Sequence, residues 1–210
     1  MVEQSIRNRQ VPGSSPGLGS KFVPNHTWLF SFFVLSGLVP LVGLLKRPAG
    51  WMLCLYSIYV LAYSLKPNPW RNAFSNWPAW LAGVSSAIVV GTVTETLAWL
   101  QNRGEGFKNP GALFSSNLLS DIARGWGYYL VLVLIYLVLS RFYILSAAQS
   151  FVGYGLCGIF LEQRGAMAKA AFSAGPVGVV MLAYLFAVHG SILGLIVLPL
   201  AARFRNARTS

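Results

Sequence analysis

Residues 79–100 read AWLAGVSSAIVVGTVTETLAWL. Glu95 is the only charged side chain in this stretch. A helix of this length, at about 1.5 Å per residue, crosses the roughly 30 Å of bilayer hydrocarbon. Ala79, Gly83, Ala87, Gly91 and Glu95 recur at every fourth position, and residues four apart share one helical face. Small residues on such a face let a second helix approach closely. The same face carries a carboxylate into the contact, and intramembrane carboxylates face a bundle interior, a cavity or a partner.

Composition extends this reading to the whole chain. Of 210 residues, 55% are hydrophobic and only 10% are charged, with a mean hydropathy of +0.59. Soluble domains carry about 25% charge, so the fold class expected is an all-α, polytopic transmembrane helical bundle. The formal charge is +11, from 16 Lys and Arg against 5 acids. Nucleic-acid binding concentrates such charge on one face or tail. Here Lys46 and Arg47, Lys66 and Arg71, Arg103 and Lys108, Arg164 and Lys169, and Arg203, Arg205 and Arg208 punctuate the ends of apolar blocks. That pattern fits lipid headgroups as partners and excludes nucleic acid.

Three regions are expected: a flexible polar leader over residues 1–27, one transmembrane domain over 28–202 and a basic tail over 203–210. The leader is rich in Gly, Pro and Ser and lacks the apolar core of a removable signal peptide. Apolar blocks follow at Trp28–Leu45, Trp51–Ser64, Ala79–Leu100, Trp126–Leu145 and Ala147–Leu161, with a last run over Ala166–Ala202. That last run is too long for one simple span, and it reads either as a span plus tail or as a pair turning near His189 and Gly190. The count is six or seven spans. Leu113, Phe114, Leu118, Leu119 and Ile122 suggest a short interfacial helix before the fourth block. Trp70, Trp77 and Trp80 suit the headgroup level. The positive-inside rule leans weakly toward both termini inside.

Few residues carry chemistry. Glu95 and His189 are the candidate catalytic pair: a carboxyl group inside a span, and an imidazole able to act as a base near neutral pH. Glu162, at the end of the fifth block, and Tyr128 and Tyr129, at the start of the fourth, are candidate substrate contacts. Each has a plainer role: snorkelling to headgroups or pairing with Arg103 for Glu95, capping an interfacial loop and pairing with Arg164 or Lys169 for Glu162, a hairpin tip for His189, and an aromatic belt for the tyrosines. Asp121 reads as a capping or pairing residue ahead of Arg124, Gly125 and Trp126. Cys54 and Cys157 lie in apolar blocks without a CxxC partner and read as buried thiols. No metal-ligand cluster or Walker or dinucleotide motif occurs, and the cofactor is unknown from these residues.

Arg103-Gly104-Glu105-Gly106-Phe107-Lys108-Asn109, followed by Gly127-Tyr128-Tyr129-Leu130, resembles the loop-then-helix of fungal wax-synthase-like membrane O-acyltransferases. The resemblance implies acyl transfer from a coenzyme A thioester, with His189 assisting the acceptor hydroxyl. The Trp- and Arg-rich segment that precedes the histidine in that family is absent here. Three functions follow as expectations. The first is a membrane-embedded, transferase-like enzyme acting on a lipid or other hydrophobic small molecule. The second is a non-catalytic scaffold or assembly subunit that packs against a protein partner through its helices. The third is a small proton-coupled transporter using Glu95.

Overall fold

A computed structural model describes residues 35–36, 50–65, 68–111, 115–143, 145–161 and 165–209. The fold is all-helical, with seven helices bounded in the described residues: α1 (Leu53–Ser64), α2 (Pro69–Ala73), α3 (Ala79–Gly104), α4 (Leu118–Leu139), α5 (Ala147–Leu161), α6 (Ala166–Ser173) and α7 (Pro176–Thr209). Leu35 and Ser36 are also helical.

Only three helices among the described residues are long and apolar enough to span a membrane: α3, α4 and the Pro176–Ala201 portion of α7. The expectation of six or seven spans is therefore corrected to three among the described residues. The reason is length. The second block yields a helix of 12 residues and the fifth one of 15, about 18 and 23 Å long, against roughly 30 Å of hydrocarbon. The first block, apart from Leu35 and Ser36, lies outside the described residues. The chain is a multi-pass integral membrane protein, and its apolar outer surface is in contact with lipid. On α4, Val131, Leu134, Ile135 and Val138 all point outward. A helix that is apolar all round suits hydrocarbon.

The long last run breaks earlier than expected. Gly175 adopts φ 59°, a left-handed conformation favourable to glycine, and Pro176 follows as the first residue of α7. His189 and Gly190 stay inside the helix. Gly190 serves close packing there, because a Cβ would lie 2.7 Å from the Phe151 carbonyl oxygen. Of the interfacial helix expected over Leu113–Ile122, Leu118, Leu119 and Ile122 belong to α4 and Leu113 and Phe114 lie outside the described residues. Asn117 caps the N-terminus of α4 by accepting from the Ser120 N–H at 3.1 Å.

Side-chain contacts fix how the spans run. Gly83 meets both Val133 of α4 and Leu200 of α7, while Gly91 meets Tyr129 and Gly125 meets Glu95. As α3 positions rise, the matching α4 positions fall, so α3 and α4 form an antiparallel hairpin. Ser86 with Ile196 and Gln101 with Tyr184 run α7 antiparallel to α3 as well. The short α1 lies beside α7, with the Tyr59 ring against Gly194.

Pro199 sits inside α7 and has no N–H to offer the Leu195 carbonyl. In hydrocarbon such a carbonyl needs a replacement donor. Trp70 supplies it, its indole N–H donating to Leu195 O at 2.9 Å. One residue on, the Ser86 hydroxyl reaches Ile196 O at 2.9 Å. Trp70, read from sequence as a belt residue, thus links α2 to α7. Cys157 is exposed on α5, which corrects the expectation that both thiols are buried, and Cys54 is partly exposed.

Candidate functional site

The small-residue face of α3 is filled by this chain's own helices. A Cβ on Gly91 would stand 2.9 Å from Cε2 of Tyr129 and closer still to its Cδ2. Only glycine admits that ring. With the ring seated over Gly91, the Tyr129 hydroxyl reaches one turn further and donates to Glu95 Oε1 at 2.6 Å. Glu95 is 1% exposed and Tyr129 2%. Gly125 holds open the space beside the carboxyl, since a Cβ there would lie 3.2 Å from Oε1.

Asp121 completes this cluster. It is fully buried, accepts the Ser115 N–H at 2.9 Å, and its carboxyl acts electrostatically on that of Glu95. Asp121, Gly125 and Tyr129 are spaced by four on α4, so they present one face to Glu95. That spacing was the signal in the sequence for Asp121, which standing alone reads as a helix-end residue.

His189 occupies a different interface, where α5 crosses α7. Its ring lies over Gly158, where a Cβ would stand 2.6 Å from Nδ1. The Tyr154 ring is 6.0 Å away, centroid to centroid. Nδ1 is 2.9 Å from the Leu185 carbonyl oxygen. A carbonyl only accepts, so Nδ1 carries the hydrogen, and in the neutral ring Nε2 is the acceptor nitrogen.

The two expected catalytic residues thus belong to separate helix contacts, with tyrosines between them. The Tyr128 hydroxyl is hydrogen-bonded to that of Tyr154. The Tyr128 and Tyr129 rings meet edge to face at 5.4 Å. Pairwise interactions link Asp121 to Glu95, Glu95 to Tyr129, Tyr129 to Tyr128, Tyr128 to Tyr154 and Tyr154 to His189. Tyr154 was not anticipated, because nothing in the spacing of α5 singles it out. Glu162 lies outside the described residues. The Arg103–Asn109 segment ends α3 and forms an exposed turn, with the Arg103 guanidinium 5.0 Å above the Trp99 ring.

A groove of about 1440 Å³ lies between α1, α5 and α7. Val60 and Leu65, Ala148, Phe151, Val152 and Ile159, and Val179, Leu182, Ala183, Phe186 and Ala187 give it an apolar lining. Tyr56, Tyr59, Tyr63 and Ser64 add hydroxyl groups on the α1 side. None of the residues expected from sequence lines this groove. His189 comes nearest along the chain, two residues beyond Ala187. Among the described residues, no group of three or more His, Cys, Asp or Glu side chains is placed to hold a metal ion. No protein-family model, curated protein or solved structure matches the chain.

Proposed function

We propose that this membrane protein binds the hydrocarbon chain of a lipid, or a hydrophobic molecule of similar shape, in the groove between α1, α5 and α7. The observation that carries the reading is the groove itself: its volume, its apolar lining, and a wall formed by the spanning helix α7. Lipid tails are as apolar as the lining, so burial alone gives no net drive inside a bilayer. Selectivity then rests on shape and on the few hydroxyls of Tyr56, Tyr59, Tyr63 and Ser64.

A chemical step on the bound chain is the narrower form of this reading. Its support is the position of His189 just beyond the groove-lining Ala187, and the Tyr154 ring beside the imidazole, with the Tyr154 hydroxyl bonded to that of Tyr128. Acyl transfer from a coenzyme A thioester, implied by the resemblance of residues 103–130, is the specific version. Labelled acyl-coenzyme A offered with vesicle-borne alcohols, to the native chain and to His189→Ala, tests that version separately.

The binding proposal is tested in liposomes with a phospholipid bearing a photoactivatable acyl chain. Cross-links are expected on groove-lining residues of α1, α5 and α7. Ala183→Trp and Ala187→Trp, which fill the groove, should lower labelling several-fold, whereas Glu95→Gln should leave it unchanged. Labelling that is equal in the native chain and both tryptophan variants overturns the proposal.

A further inference from the structure

The groove reading makes no use of the acid pair at the contact between α3 and α4. Both carboxyl side chains there are buried, Glu95 at 1% exposure and Asp121 at 0%. Glu95 Oε1 has its donor in Tyr129. Asp121 has the Ser115 N–H on Oδ1. Glu95 Oε2 is buried with no hydrogen-bond donor. The carboxyl that acts on Glu95 from α4 is that of Asp121, and two carboxylate oxygens offer each other no hydrogen.

An unmatched buried acceptor in an apolar interior is costly, and two like charges side by side add to that cost. One hydrogen removes both penalties. We propose that Glu95 and Asp121 form a proton-binding site inside the membrane domain, holding one exchangeable proton between Glu95 Oε2 and the Asp121 carboxyl. Binding converts one carboxylate of the pair into a carboxylic acid, and its O–H donates to the other. No other bond forms or breaks.

The surroundings set the order of exchange. From α4, Asp121 and Tyr129 face Glu95, and Tyr154 of α5 acts electrostatically on Tyr129. Arg124, on the same turn as Asp121, is exposed. Asp121 stands in the first turn of α4, tied to Ser115 and close to the exposed Ser116 and Asn117. Asp121 is therefore the aqueous-side member and Glu95 the deeper one. Since Gly125 and Gly91 bring the two helices together around the carboxyls, loss of the proton places two charges in that contact and loosens α3 from α4.

Infrared difference spectroscopy of the full chain in proteoliposomes, across a pH titration, reads this directly. The expected result is a protonated-carboxyl C=O band that shifts in deuterated water and titrates away as pH rises. Glu95→Gln and Asp121→Asn should each remove it, because the bond needs both partners. Tyr129→Phe should shift the band while retaining it. Absence of the band in the native chain overturns the proposal without recourse to any variant. Persistence of the band in both isosteric variants, with helicity by circular dichroism retained, overturns it as well. The readout does not involve the groove, so failure of lipid photolabelling leaves this result standing.

Discussion

Gly91→Ala adds a single methyl group where α3 meets α4, and its effect can be worked from the structure. The new Cβ would stand 2.9 Å from Tyr129 Cε2, against about 3.5–4.0 Å for comfortable carbon–carbon contact. The ring must retreat by about 1 Å. Tyr129 is 2% exposed and has little room to do so. Its hydroxyl, now 2.6 Å from Glu95 Oε1, would move beyond the usual range for an O–H···O bond. Overpacking costs about 1–3 kcal/mol, and a lost interhelical hydrogen bond in a membrane protein about 0.6 kcal/mol. The better helix propensity of alanine offsets about 1 kcal/mol. The net expectation is a destabilisation of about 2 kcal/mol, which lowers the melting temperature by about 5 °C for a chain of this size. Thermal unfolding in detergent, followed by helical circular dichroism, is the assay. Gly127→Ala is the control, because that position has nothing within 4 Å of an added Cβ. The reasoning is refuted if Gly91→Ala melts no lower than Gly127→Ala.

Gly158→Ala should likewise lower the melting temperature by driving a Cβ into the His189 ring, whereas Gly153→Ala on the same helix, with open space around it, should not. Trp70→Phe leaves the Leu195 carbonyl without its indole donor and should cost about 1–3 kcal/mol. In a Pro199→Ala background, which restores a backbone N–H for Leu195, the same substitution should cost much less, and equal costs in both backgrounds would sink the account. The α3–α4 hairpin predicts sidedness. Single cysteines at Asn76 and Phe142 should react with an impermeant thiol reagent from one face of a sealed vesicle, and one at Gly106 from the other. Labelling of all three from the same face contradicts the two spans.

Glu95 illustrates how a site becomes partly legible. Its apolar surroundings and the four-residue stripe ending on it are enough, as bare sequence, to mark a carboxyl inside a helix contact. What fills the stripe is not written there. The Tyr129 ring enters because Gly91 leaves room, and Asp121 arrives because Gly125 and the α3–α4 turn set the register between the helices. Of the two readings of the last apolar run, the turn near His189 and Gly190 failed for a similar reason. Glycine in an apolar helix marks either a break or a close packing contact, and local sequence does not distinguish them. At Gly175, followed by Pro176, it is a break; at Gly190, against Phe151, it is packing.

The sequence by itself determined the solvent of this protein. Long uncharged helical stretches, with basic residues at their ends, suit hydrocarbon and disfavour water, and that balance is a sum over local residues. It also determined α3 almost to its ends and singled out Glu95. Among the described residues, the number of spans was decided by helix length, 12 and 15 residues in two apolar blocks. Tertiary structure alone decided the Glu95–Asp121–Tyr129 cluster, the separation of His189 from Glu95 and the groove between α1, α5 and α7. Each of these depends on the relative placement of helices distant in sequence, and that placement is set by which glycine admits which side chain.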